Sequence, residues 1–442
     1  MNLDIHQIIL NYLYDLKDQI NIYNLDKTHQ AYIQLYDLCD IDNKYKYRFI
    51  KNYNDDGDGD LGSNVHSYDL RRFYYSLRKK LITHQVLEQK KFRYIKKLDA
   101  TYNKYVININ HLIYLEKLYC DGSNCGINQK QIEEINLKIL RASSNEKIVN
   151  VNHMKNLEIL HCDNICGIDQ NGIINLTNLK KLFARGNEKI FDVNYLIKLE
   201  ILHCDNICGI DQNGISKLTN LKVLNMHDNS KIIDLNHLNK LKVLDCGGLQ
   251  SKLGQNGIIN LTNLIEIYLN NNSLINDLNH MHKLEKLNSS KFIEQKGIQN
   301  LINLKYIYIS QNEKITDLNH MKNLEQLNCD GICGVSNDSI CNLTNLRKIS
   351  ARGNIKINNL NHLINLEKIY LSLCNSCQTK IKEKIYHKNP IKLKDIEKLT
   401  LDNLCVPCRF DLVRLFNLIQ SYENYNSKIL TIKLNYLYLH LI

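Results

Sequence analysis

The sequence predicts an α/β repeat solenoid with parallel strands on its concave face, a small helical module before it and a cap after it. Three observations lead there. The seventeen letters LEILHCDNICGIDQNGI at 157–173 return unchanged at 199–215, 42 residues on. Anchoring each unit on its first apolar residue gives Ile95, Leu115, Leu137, Leu157, Leu179, Leu199, Leu221, Leu241, Leu264, Leu284, Leu304, Leu324, Leu346 and Leu366, in steps of 20 or 22 with a single step of 23. Self-similarity at such a period is the signature of a stacked repeat. Within each unit, positions 1, 4 and 6 carry apolar residues around a short strand. No unit buries that edge alone, so neighbours must stack into one continuous core.

The short unit reads Leu179, Leu182, Ala184, Asn187, then Ile190, Val193 and Leu196. The long unit reads Leu157, Leu160, Cys162, Cys166, Ile168, Gly172, Ile173 and Leu176. These units resemble the leucine-rich repeat family, whose pattern is L-x-x-L-x-L-x-x-N/C. The cysteine of the long unit sits one place late against that pattern. The resemblance covers residues 91–373 and implies an arc of about fourteen units with parallel strands roughly 4.8 Å apart. Asn145, Asn187 and Asn312 fall at position 9, where an amide side chain can satisfy backbone groups of the turn. The extra residues of the long units, N-G-I-I-N-L-T-N, are expected to form a helical turn on the outer side.

Residues 1–40 are not repeat-like. Ile5, Ile8, Ile9, Tyr12, Leu13 and Leu16 recur at helical spacing and predict a short amphipathic helix. With Leu3 at its start, D-L-K-D at 15–18 and N-L-D-K at 24–27, the stretch resembles an F-box, the helical module that docks onto Skp1-type adaptors of cullin–RING ubiquitin ligases. The resemblance implies adaptor contacts through Leu3, Ile5, Ile8, Ile9, Leu13 and Leu16. It departs at Asp4, where the motif usually carries proline. A helical cap on the solenoid's first edge is the other reading of the same spacing.

Residues 41–90 form a polar connector. Asn54, Asp56, Asp58, Gly59 and Leu61 have the spacing of a calcium loop, but Val65 stands where a bidentate Glu is needed, so a solvated acidic turn fits better. Residues 68–80 read as a basic, aromatic helix leading into the repeats.

Fifteen cysteines without a signal-peptide pattern in the first ten residues argue for reduced thiols. Cys120, Cys162, Cys204, Cys246 and Cys329 take position 6, where Cys serves as a small inward hydrophobe. Repeat register also explains Cys166, Cys208 and Cys333, leaving little need for a metal at Cys162, Cys166 and His161. The Asn-Leu-Thr triplets at Asn175, Asn260 and Asn342 read as the repeat's own L-T-N-L rather than as glycosylation sites. After Leu366 the period fails. Cys374, Cys377, Cys405 and Cys408 have the C-x2-C…C-x2-C spacing of a zinc site. Repeat packing is the other reading, and the expectation is that no metal or cofactor is bound. Residues 374–442 are expected to cap the open strand edge.

The net charge of +11 is spread along the chain, which suits acidic partners but not the concentrated stripe that nucleic acid demands. No apolar run reaches the length of a membrane span. The Asn, Lys, Ile and Tyr richness is of the kind encoded by AT-rich genomes, such as those of some large DNA viruses or protists. The expected location is the cytoplasm, that of the host for a viral chain.

Side chains alternate along a strand, so positions 3, 5 and 7 should line the concave face. The candidate partner-binding residues there are Tyr119, His161, Phe183, Arg185, His203, Tyr268, Tyr306, Tyr308, Arg352 and Tyr370. Tyr, Phe, His and Arg together have the composition of protein–protein hot spots. Tyr268, Tyr306, Tyr308 and Tyr370 are expected to form an aromatic patch, and the histidines to make binding pH-sensitive near pH 6–7. No catalytic constellation appears, so an enzyme is not expected. The expected function is protein interaction, as the substrate-recognition adaptor of a cullin–RING ligase or as a scaffold without that link.

Overall fold

The computed structural model describes residues 96–371, save 290, 358, 359 and 361, together with two strands at Leu430–Leu434 and Leu437–Leu441. The F-box-like segment, the calcium-like loop and the four cysteines at 374, 377, 405 and 408 lie outside the described residues. The chain divides into two compact units, Met1–Ile210 and Asp211–Ile442, a division inside the predicted 91–373 repeat stretch.

In the first unit six three-residue strands pair in parallel, each with the next: β1 (Lys97–Asp99), β2 (Lys117–Tyr119), β3 (Ile139–Arg141), β4 (Ile159–His161), β5 (Lys181–Phe183) and β6 (Ile201–His203). The second unit repeats the scheme with β7 (Val223–Asn225), β8 (Val243–Asp245), β9 (Glu266–Tyr268), β10 (Lys286–Asn288), β11 (Tyr306–Tyr308), β12 (Gln326–Asn328), β13 (Lys348–Ser350) and β14 (Lys368–Leu371). Its ladder continues with β15 (Leu430–Leu434), parallel to β14, and β16 (Leu437–Leu441), antiparallel to β15. Positions pair like with like: Leu140 faces Leu160, and Leu160 faces Leu182.

Across β1–β12 each repeat supplies one buried residue between two that are half-buried or exposed. Leu118, Leu140, Leu160, Leu182 and Leu202 at position 4 are fully buried, as are Cys120, Ala142, Cys162, Ala184 and Cys204 at position 6. The chain then turns sharply. In twelve units the residue at position 8 takes a left-handed backbone conformation: Tyr102, Gly122, Ser144, Asn164, Gly186, Asn206, Asp228, Gly248, Asn271, Gln311, Gly331 and Gly353. Gly, Asn and Asp dominate because they adopt that conformation at least cost.

Next comes the buried amide. Asn187 Nδ2 donates to the carbonyls of Cys162 (2.9 Å) and Ile168 (3.1 Å), while its Oδ1 accepts from Lys189 N (3.0 Å). Asn145 and Asn272 make the equivalent bonds. The long units satisfy the same kind of acceptor with a thiol. Cys166 Sγ donates to Ala142 O (3.2 Å) and Cys125 Sγ to Ala100 O (3.3 Å). Asparagine and cysteine thus both reach the position-6 carbonyl one unit back. That accounts for the cysteine sitting one place late in its unit.

The outer side differs from the α/β expectation. One short helix, α1 (Gln129–Ile132), carries a capping box between Asn128 and Gln131. Elsewhere among the described residues the outer segments are turns or 3-10 turns, such as Asn213–Ile215, Gln255–Gly257 and Asp338–Ile340. The chain passes too close to the preceding turn for α-helix. A Cβ on Gly172 or Gly257 would collide with the carbonyl oxygen of Val149 or Ile233. Histidines brace this side: Nε2 of His153 donates to Ile132 O (2.8 Å), and His237, His280, His320 and His362 repeat the bond at 3.0–3.1 Å. Among the described residues no helix is long and apolar enough to cross a membrane.

Candidate binding face of the strand ladder

In β1–β12, positions 3 and 5 flank a buried Leu or Ile and are left half-buried or exposed on one face. In the first unit the parallel register sets position 5 of successive strands side by side: Tyr119 opposite Arg141, Arg141 opposite His161, His161 opposite Phe183 and Phe183 opposite His203. The spacing of a sheet brings flat groups into stacking range. His161 and Phe183 stack with ring centroids 4.0 Å apart and planes 5° from parallel. His203 packs on the other face of the row, 4.6 Å from Phe183 and tilted by 46°. The Arg141 guanidinium lies 5.2 Å from the Tyr119 ring, and Lys97 Nζ approaches that ring equally closely. Contacts of this kind hold aromatic side chains in fixed orientations.

Position 7 supplies a layer of carboxylates beside the rings. Asp121 is almost fully buried against Arg141 (3.1 Å) and Asp205 against Arg185 (2.9 Å). Burial pushes the Asp121 carboxyl up, with Arg141 opposing. Burial pushes Asp205 up as well, against its backbone hydrogen bond and Arg185. Asp163 accepts from the Ser143 hydroxyl (2.8 Å) and from Arg185 N (3.0 Å). This layer fixes the arginines, which a reading of Arg185 alone does not anticipate. The sequence signal for it is the recurrence of Asp at position 7.

Burial drives the His161 pKa down to about 4, with Arg141 adding to the shift and Asp163, 4.0 Å away, opposing it. The expected binding switch near pH 6–7 is therefore corrected for this residue, which stays neutral through that range. The same shift has a consequence for stability. Between about pH 4 and the ordinary histidine value of 6.5, the unfolded chain binds a proton at this ring that the folded chain does not. Stability should rise with pH across that window and fall on acidification. Denaturant unfolding at about pH 7 and about pH 5 should show a smaller loss for His161→Asn than for the parent; an equal loss would rule out His161 as a contributor.

In the second unit the position-5 residues alternate. Tyr268, Tyr308 and Tyr370 are separated by Asn288 on β10 and by Asn328 and Ser350 on β12 and β13. Tyr306 shares β11 with Tyr308 but points the same way from position 3. The expected aromatic patch is corrected on this point: no ring–ring contact joins Tyr268, Tyr306 and Tyr308. Strands two rungs apart hold their side chains roughly 9.6 Å apart. Tyr268 is instead held by polar contacts, its hydroxyl donating to Glu266 Oε2 (2.7 Å) with Lys286 Nζ 5.0 Å from its ring. Arg352 and Tyr370 line a recess of about 190 Å³ with Lys348, Ser350, Asn328 and Gln326.

Nine of the ten described cysteines are buried, and Cys341 is exposed. Burial raises the Cys120 and Cys162 thiols well above the usual range, so these are core groups rather than nucleophiles. Among the described residues no group of three His, Cys, Asp or Glu could hold a metal ion.

No protein-family model matches the sequence, and no curated protein does. Solved structures that resemble the chain are leucine-rich repeat proteins. The functional domain of InlJ from Listeria monocytogenes, described as including a cysteine ladder, is 19% identical over 64% of this chain and 64% of its own, with a TM-score of 0.47. The internalin inlF from the same species is 21% identical over 65% of this chain and 86% of its own, with a TM-score of 0.43. A leucine-rich repeat protein of Leptospira interrogans is 18% identical over 69% of this chain and 97% of its own, with a TM-score of 0.41. The chain spans 64% of the length of the first of these.

Proposed function

We propose that this protein is a leucine-rich repeat scaffold that binds another protein along its strand-ladder face and catalyses no reaction itself. The observation that carries this is the row Tyr119, Arg141, His161, Phe183 and His203. Its rings pack on one another or on Arg141, and the buried Asp121 carboxylate holds that guanidinium in place. Rings already held in place lose little freedom when a partner covers them, which favours their use as anchors. A row that merely kept the face soluble would not need such packing. Arg185 in the first unit, and Tyr268, Tyr306, Tyr308, Arg352 and Tyr370 at the corresponding repeat positions of the second, are assigned to partner binding as well.

In its finer form, the proposal makes the protein a substrate-recognition adaptor of a cullin–RING ubiquitin ligase, acting in the cytoplasm. The support for this is the helical spacing of Leu3, Ile5, Ile8, Ile9, Leu13 and Leu16 at the chain start. A scaffold with no ligase link uses the same ladder face and differs only in that segment. A pull-down with a Skp1-type adaptor separates the two. The full chain should retain the adaptor, and Ile9→Asp or Leu13→Asp should abolish retention by placing a charge in an apolar contact. Retention that survives both substitutions removes the ligase reading and leaves the scaffold.

A further inference from the structure

We propose that the recess at β12–β14 recognises a carboxylate on an acidic segment of the protein partner. This rests on the protein-binding reading of the ladder face and names the chemistry of what binds there. Position 5 shrinks at this point, from Asn328 to the small Ser350, and a hollow of about 190 Å³ opens before Tyr370. Its floor is apolar, from Leu327 and Ile349, and its walls carry hydrogen-bond donors.

The cations here differ from their counterparts elsewhere on the face. Arg185, at position 7, pairs with Asp205 at 2.9 Å, and Lys286, at position 3, pairs with Glu266 at 3.3 Å. Arg352 occupies the same position 7, yet among the described residues its side chain forms no ion pair and its Nε is buried with no hydrogen-bond partner. Its backbone is engaged instead, the N–H donating to Asp330 Oδ1 at 2.7 Å and the carbonyl accepting from Gly331 N at 2.6 Å. Lys348 occupies position 3 without an ion pair or a ring contact among the described residues. Asn328 accepts at Oδ1 from Ser310 Oγ (2.6 Å) and from Asp330 N (3.2 Å), leaving its amide N–H groups to donate. A buried guanidinium N–H without an acceptor is costly, and a ligand oxygen removes that cost.

Charge selects the ligand. Lys348 and Arg352 bring two positive charges, and Asp330 behind them brings one negative charge, its Oδ1 accepting from Ser350 Oγ at 2.7 Å. The excess of one matches a single carboxylate. A phosphate dianion would leave surplus negative charge next to Asp330. Lys368, in register with Lys348 on β14, is not among the residues that line the recess.

The test is calorimetric titration of the full chain with a capped glutamate-rich peptide, its glutamine counterpart and its phosphoserine counterpart. The glutamate peptide should bind, weaken with added salt and lose about tenfold or more in affinity in Arg352→Gln. The glutamine peptide should not bind. If Arg352→Gln lowers the unfolding temperature, Lys348→Gln carries the comparison instead. Failure of the glutamate peptide to bind, equal affinity in both variants, or tighter binding of the phosphoserine peptide overturns the assignment. Should the peptide fail while Phe183→Ala still weakens partner capture, the recess is lost and the protein-binding reading stands. If Phe183→Ala has no effect either, both fall.

Discussion

Replacing Asn187 with alanine is expected to destabilise the protein by about 3 kcal/mol or more. The side chain is 1% exposed and serves three backbone groups, the carbonyls of Cys162 and Ile168 and the N–H of Lys189. Each group left buried without a partner costs on the order of 1–3 kcal/mol, and water has no ready access to replace the amide. The loss is felt across a repeat junction, because Asn187 on one turn holds the carbonyl of the turn before it. A control on the same pair of turns is Lys180→Ala. Its ion pair with Glu158 is about half exposed on both sides, and such pairs contribute roughly 0–1 kcal/mol. Denaturant unfolding of both variants checks this. Equal small losses would mean that the buried amide is not what joins the turns.

Replacing Phe183 with alanine is expected to weaken binding of the protein partner by about 2 kcal/mol or more. Phe183 is packed between His161 and His203, so its removal takes away one ring and frees two others. Folding should suffer far less than in Asn187→Ala, because Phe183 sits on the half-buried face and the fully buried neighbours Leu182 and Ala184 are untouched. Tyr308→Ala should weaken binding less, since Tyr308 makes no ring contact with its neighbours. Affinity measured for the two variants, together with their unfolding midpoints, separates an anchor from a packing residue. A Phe183→Ala protein that binds normally would remove the stacked row from the interface.

Much of this architecture is legible in the chain itself. The period places every strand, because only one phase buries positions 1, 4 and 6 together, and the asparagines at position 9 announce their own bonds. Other features depend on geometry that no single unit spells out. Position 8 is left-handed in twelve units, yet Tyr102, Ser144 and Gln311 occupy it beside glycine and asparagine, so composition alone masks the turn. The outer segments look helical by length, and the close pass at Gly172 and Gly257 prevents it. The stacking of His161 on Phe183 follows from register, but the fall of its pKa follows from burial, which spacing does not report. The tyrosines of the second unit illustrate the converse. Their places at positions 3 and 5 imply a patch, whereas intervening Asn288, Asn328 and Ser350 separate Tyr268, Tyr308 and Tyr370 from one another.

Site-specific photo-cross-linking tests the ladder face most directly. A photoreactive side chain is placed at Phe183 and at Tyr308 on the strands, and at Ile174 and Ile259, exposed residues of the outer segments. Irradiated in the cells from which the gene comes, Phe183 and Tyr308 are expected to yield covalent adducts with one common protein, while Ile174 and Ile259 yield none of it. Adducts from the outer positions alone, or no adduct from either strand position, would contradict a partner site on the strand ladder.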